Sequence, residues 1–232
     1  MPFMPRVTRV TPGGLAFHVL NRANGRAPIF QKPADYGAFE RVLVRTGEYV
    51  AMRILSYSVL PTHWHLVLWP YGDGDLAAFM QRLTTTHVRR WHLHRHTVGH
   101  GHLYQGPFKA FPVQTDEHLL TVCRYVERNP VRAGRVRHAE HWPWASAWVR
   151  ARTEVSAEKP TLADWPLPMP PDWSAFVNQP LTDAEIEACR LCARRGRPLG
   201  DAAWTTRIAD RLGLQATLRP RGRPRRAADA TR

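Results

Sequence analysis

Residues 62–69 read Thr62-His63-Trp64-His65-Leu66-Val67-Leu68-Trp69, two histidines two positions apart inside an apolar run. Alternate side chains of a β-strand point to one face. His63 and His65 therefore project side by side, while Trp64, Leu66 and Leu68 face the other way, into a core. Two neutral imidazoles on one face can grip a single divalent metal ion. The same pattern alone also describes two half-exposed strand histidines. Upstream, Ile54 to Leu60 forms a second apolar run, joined to the first at Pro61-Thr62. The pair reads as a hairpin whose second strand carries the histidines.

Working outward, Gly13-Gly14 precede a strand over 15–20, and residues 33–50 show helical spacing with Tyr36, Phe39 and Leu43 on one stripe. Asp73-Gly74-Asp75 starts a helix that carries Leu76, Met80, Leu83 and His87. Phe108 to Val113 is a further strand, after which Thr115-Asp116 caps a helix with Leu119, Leu120, Val122, Cys123 and Val126 apolar. Pro130 breaks or kinks that helix. The order is β-α-β-β-α-β-α. Its first six elements predict an α+β fold: a ferredoxin-like (split βαβ) antiparallel sheet with helices on one face. The last helix is an addition, and the open face carries His63 and His65.

Composition shifts after about residue 150, where Pro160, Pro166, Pro168, Pro170, Pro171 and Pro180 punctuate the chain. The expected organisation is a catalytic domain over 1–150, a Pro-rich linker over 151–180 and a basic C-terminal extension over 181–232. Two short helices are expected near 182–193 and 201–212. The formal net charge is +14. From Cys189 onward 12 Arg stand against 3 Asp, so +9 of it lies there. A polyanionic partner follows. Hydrophobic residues make up 44% of the 232, enough for a real core. No apolar run approaches the ~20 residues of a membrane helix, and Met1 to Arg6 lacks a signal-peptide pattern. A cytoplasmic, nucleoid-associated protein is expected. Three cysteines are too few for a disulfide framework. Cys189 and Cys192, a lone C-x-x-C, read as helix neighbours with a structural role.

A second segment, Tyr125-Val126-Glu127-Arg128-Asn129-Pro130, places Tyr125 and Asn129 at i and i+4 on one helix face. An amide oxygen is a hard ligand suited to Mg²⁺ or Mn²⁺. A tyrosine hydroxyl can attack a phosphodiester and hold the phosphate covalently. The alternative is that Tyr125 packs over the sheet and Asn129 caps the helix.

The chain resembles the REP-associated tyrosine transposases, a branch of the HUH-type, IS200-like single-strand transposases. The resemblance rests on Pro61-Thr62-His63-Trp64-His65, on Tyr104-Gln105-Gly106-Pro107-Phe108-Lys109, on Tyr125 through Gly134, and on Trp142-Pro143-Trp144-Ala145-Ser146. It covers roughly residues 8–150, and implies that His63 and His65 are metal ligands and Tyr125 the nucleophile. Asn129 falls where relatives place a polar third ligand. The implied reaction cleaves and rejoins single-stranded or hairpin DNA, REP-like palindromes included, through a 5′-phosphotyrosine intermediate with Mg²⁺ or Mn²⁺. Relatives act as monomers or homodimers. Tyr104 is the rival nucleophile.

DNA contacts are expected from Arg89 and Arg90, in an Arg- and His-rich stretch over 89–102 that reads as a helix end and a basic DNA-contacting loop and also holds His92, His94, His96, His100 and His102, and from Lys109 and Arg128. Pro220-Arg221-Gly222-Arg223-Pro224-Arg225-Arg226 resembles an AT-hook, in which Arg221, Arg223 and Arg225 follow a narrow minor groove. Arg207 and Arg211, with the 209–214 region, read as part of a small helical DNA-binding unit. Two other classes remain: a non-catalytic DNA-binding regulator that kept the fold, and a zinc-binding RNA-interaction module.

Overall fold

The structure, a computed structural model, describes residues 10–219. Four strands form one sheet: β1 (Ala16–Arg22), β2 (Met52–Leu60), β3 (His63–Pro70) and β4 (Lys109–Val113). Their spatial order is β2-β3-β1-β4, with each neighbouring pair antiparallel. That is the split βαβ arrangement the sequence predicts.

Helices α1 (Pro33–Tyr49) and α2 (Asp75–Arg95) cover one face. Phe17, Val19, Tyr57, Trp64, Leu66 and Leu68 meet Tyr36, Phe39 and Leu43 of α1 and Leu76, Met80 and Leu83 of α2 there. Period-2 alternation in the strands meets period-3.6 stripes in the helices, whose apolar sides face the sheet. α1 starts where Pro33 occupies its first turn and the Asp35 carboxylate accepts from the backbone N–H groups of Gln31 and Lys32.

The opposite face differs from expectation, because it is covered rather than open. α3 (Glu117–Glu127), capped by the Asp116 side chain on the His118 N–H, lies across it. Its apolar Leu119, Val122, Cys123 and Val126 need burial and take it against Leu55, Val67, Phe111 and Val113. A one-residue irregularity between Ile54 and Ser56 in β2 lets Leu55 turn to this side. After α3, Pro130 removes a backbone donor, and the chain restarts as α4 (Asn129–Arg132). Next come α5 (Ser146–Arg150), α6 (Trp173–Asn178), α7 (Asp183–Arg195), α8 (Ala202–Leu212) and α9 (Gln215–Leu218).

The Pro-rich stretch packs onto the α3 side. Trp173 Nε1 donates to Glu127 Oε2 at 2.7 Å, and Trp165 packs on Trp173 with ring centroids 4.8 Å apart. The extension docks at the β4 edge, where Leu199 forms a parallel bridge with Val113. Leu199 N–H donates to Pro112 O, and Gln114 N–H donates to Leu199 O. At the β2 edge, Val59 N–H donates to Trp144 O and Ala163 N–H to Ile54 O. Cys123, Cys189 and Cys192 are buried and free, in keeping with a structural role. No helix among the described residues is long and apolar enough to cross a membrane. The AT-hook-like segment with Arg221, Arg223 and Arg225 lies outside the described residues.

Candidate active site

β3 is a central strand, so its alternation decides what faces α3. His63 pairs with Arg22 of β1 and with Leu60 of β2, and His65 with Leu20 and Ser58. Both histidines open onto a cleft of about 740 Å³ between the sheet, α3–α4 and α7, with Tyr125 and Asn129 also in its wall. The His63 and His65 rings lie 5.2 Å apart, nearly perpendicular. The Tyr125 ring sits 6.0 Å from that of His65. The nitrogens are already sorted. His63 Nδ1 pairs with Thr62 Oγ1 at 2.9 Å, and His65 Nδ1 with His18 Nε2 at 2.8 Å. Each ring thus has its Nε2 left over for the cleft.

Burial keeps these imidazoles neutral. It draws His63 down to about 4, aided by the Arg22 and Arg132 charges. It draws His65 well below the usual value, with His18, His63 and the two arginines adding to it. Neutral rings offer lone pairs at physiological pH. Asn129 is 6% exposed, and its Nδ2 is buried without a hydrogen-bond partner. Two imidazole nitrogens and the Asn129 amide, whose oxygen and not its Nδ2 is the donor atom, line one cleft and fit a hard or borderline divalent cation. The other grouping among the described residues that could hold a cation is Asp116, Glu117 and His118. There Asp116 is occupied in capping α3 and pairing with His118.

Sequence reasoning missed several members of the cleft. Arg22, Arg132, Arg190 and Arg194 join Lys109 in its wall, and no carboxylate lines it among the described residues. The Arg132 guanidinium lies 4.5 Å over the Tyr125 ring. Arg22 shares the face of His18 by strand alternation, and Arg190 and Arg194 are i and i+4 on α7, so each carried a periodicity signal.

Other expected residues are elsewhere. Arg128 donates to Asn178 O at the end of α6 and does not line the cleft. Arg89 and Arg90 lie on α2, which packs on the opposite face, and line a separate groove of about 570 Å³ with Leu93 and Val98. Tyr104 is interior to that opposite face. Its hydroxyl accepts from Trp64 Nε1 at 2.9 Å and pairs with His87 Nδ1 at 2.6 Å, and burial raises its pKa.

The model of the family "Transposase IS200 like" matches residues 13–129, half of the chain. The chain belongs to this family. The transposase is thus a DNA-cleaving enzyme by family, and the matched span covers the sheet, Tyr125 and Asn129. Among solved structures it is similar to a REP-associated tyrosine transposase bound to a REP hairpin. Identity is 20%, over 72% of this chain and 96% of that one, with a TM-score of 0.51. It is also similar to a proposed transposase from Deinococcus radiodurans, at 16% identity over 55% of this chain and 96% of that one, with a TM-score of 0.38. The first of these likenesses concerns the fold. No curated protein matches the transposase in sequence.

Proposed function

We propose that this transposase cleaves and rejoins single-stranded or hairpin DNA with Tyr125 as the nucleophile. One observation carries the reading: Tyr125 and the histidine pair share one cationic cleft within a single chain. The Tyr125 oxygen attacks a phosphodiester phosphorus, and the bond from phosphorus to the 3′-oxygen breaks. The tyrosine proton passes to water, and the leaving oxygen takes one up as a 3′-hydroxyl. The 5′-phosphate stays on Tyr125. Attack by another 3′-hydroxyl reverses the step with one ester bond exchanged for another, so no external energy source is needed.

His63 and His65, with Asn129 as third ligand, are the groups that would hold Mg²⁺ or Mn²⁺. When bound, such an ion neutralises charge that builds on the phosphate oxygens. Arg132 stands beside Tyr125 to hold the phosphate under attack. Arg22, Lys109, Arg190 and Arg194 hold flanking phosphates, whose contacts set affinity and salt dependence. In this reading residues 1–150 perform the chemistry, and 181–232 add DNA contacts, with α7 placed in the cleft. The similar transposase solved with a REP hairpin makes palindromic repeats the first substrates to try.

The test is incubation of the full chain with a labelled hairpin oligonucleotide and Mn²⁺ or Mg²⁺. A covalent adduct should form and should vanish in Tyr125→Phe. An adduct that survives in Tyr125→Phe assigns the nucleophile elsewhere. Hairpin binding without an adduct under either metal leaves the non-catalytic, DNA-binding alternative.

A further inference from the structure

His18 has no part in the chemistry above, yet its placement is hard to justify by packing. It is fully buried in the central strand β1, where an apolar residue would fit without polar atoms to satisfy. The Phe111 and Tyr125 rings stand roughly perpendicular to its own, with centroids 4.9 and 6.0 Å away. Its Nε2 meets His65 Nδ1 at 2.8 Å, with the two rings stacked at 5.0 Å and 23°. Its other nitrogen, Nδ1, is buried without a partner. A side chain that leaves one nitrogen unsatisfied in a core calls for a reason at the other.

The reason lies in proton bookkeeping. A neutral imidazole carries one proton, so one ring nitrogen donates and the other accepts. For His65 to turn a lone pair into the cleft at Nε2, its proton must sit on Nδ1, and that N–H needs an acceptor. We propose that His18 is the positioning residue for His65: its Nε2 accepts the His65 Nδ1–H, which fixes the tautomer and ring plane that point the His65 Nε2 lone pair into the cleft. The proton of His18 is then on Nδ1, the buried, unpartnered atom. Metal-binding histidines are commonly oriented by a carboxylate or a backbone carbonyl. A neutral imidazole orients without adding negative charge, and so leaves the positive field of the cleft intact for DNA.

The inference rests on the reading that His63 and His65 hold a divalent cation, and its test separates the two. Long-range ¹H–¹⁵N spectra of the cation-free full chain, labelled at histidine, report which nitrogen of His65 carries the proton. The expected result is Nδ1 in the wild type and a mixture in His18→Phe, which keeps a ring but no acceptor. His18→Gln, whose amide oxygen can accept from the same side, should restore Nδ1. Calorimetric titration with MnCl₂ should then show His18→Phe weakened about 10–100-fold, with His18→Gln recovering most of the loss. A wild-type His65 protonated at Nε2 overturns the proposal, and that spectrum decides even if His18→Phe does not fold. An unchanged tautomer together with unchanged Mn²⁺ affinity in His18→Phe overturns it as well. Should the wild type fail to bind Mn²⁺ while His18 still sets the tautomer, the cation reading falls and the role of His18 stands.

Discussion

At the scale of single residues, His18, His65 and His87 are buried, and burial favours the neutral form of each. Burial draws the pKa of His87 down to about 3, and that of His18 equally low. The folded pKa lies below the unfolded value of about 6.5, so between the two the unfolded chain binds more protons. Stability is therefore fully present above about pH 6.5 and falls as the pH drops toward 3. One such histidine costs about 2 kcal/mol by pH 5. Urea midpoints at pH 7 and pH 5 should differ in that direction, and equal midpoints would contradict the burial of these rings. Asn129 gives a second, opposite signature. Its Nδ2 has no partner to lose, so Asn129→Ala should leave the melting temperature unchanged or raise it. The same change should cut adduct formation on the order of 100-fold if the amide is a ligand. A lowered melting temperature with full activity would make Asn129 a packing residue. Of these residues, His63, His65, Tyr125 and Asn129 each lie in a short local pattern that the sequence shows, although the single helix expected for Tyr125 and Asn129 is divided between α3 and α4. His18 was not, since its meaning depends on which strand lies beside β3, and Arg132 lies beyond the break at Pro130.

At the scale of elements, periodicity carried most of the information. The strand and helix stripes are clean enough to place β1 to β4 and α1 to α3 within a few residues. The capping chemistry at Asp116, Thr182 and Asp201 marks where α3, α7 and α8 begin. What periodicity cannot say is which face a helix takes. The expected open face is covered because α3 must bury its own stripe, a matter of long-range competition for apolar surface. The docking of α7 and α8 is equally non-local. Gln114 exchanges two hydrogen bonds with Asp201, each 2.8 Å. A Cβ on Gly200 would come within 2.4 Å of Gln114 Oε1 and 2.5 Å of Trp204 Cε3. Gly200→Ala should therefore loosen the α7–α8 unit at a cost of about 1–3 kcal/mol. Limited trypsin digestion would register it as faster cleavage around Arg195 and Arg197. Digestion at the wild-type rate would show that the contact yields without cost.

For the whole molecule, the buried polar hubs bind distant segments together. Glu127 accepts from Ser146 Oγ, Arg150 Nε and Trp173 Nε1, and so joins α3, α5 and α6. Lys159 donates to Glu40 Oε2 and to Pro143 O, fastening the Pro-rich stretch to α1. Irregular prolines hid this packing from the sequence, because isolated aromatic anchors such as Trp165 and Trp173 follow no period. The sheet itself is finished at both sides by its own chain: Leu199 lies along β4, and Trp144, Ala145 and Ala163 lie along β2. Exposed backbone at a sheet edge is a template on which other chains can assemble into aggregates. In the proposed function, DNA would concentrate copies of so basic a chain side by side, where that hazard is greatest. The bridges at both edges would leave such copies less free backbone by which to pair with one another.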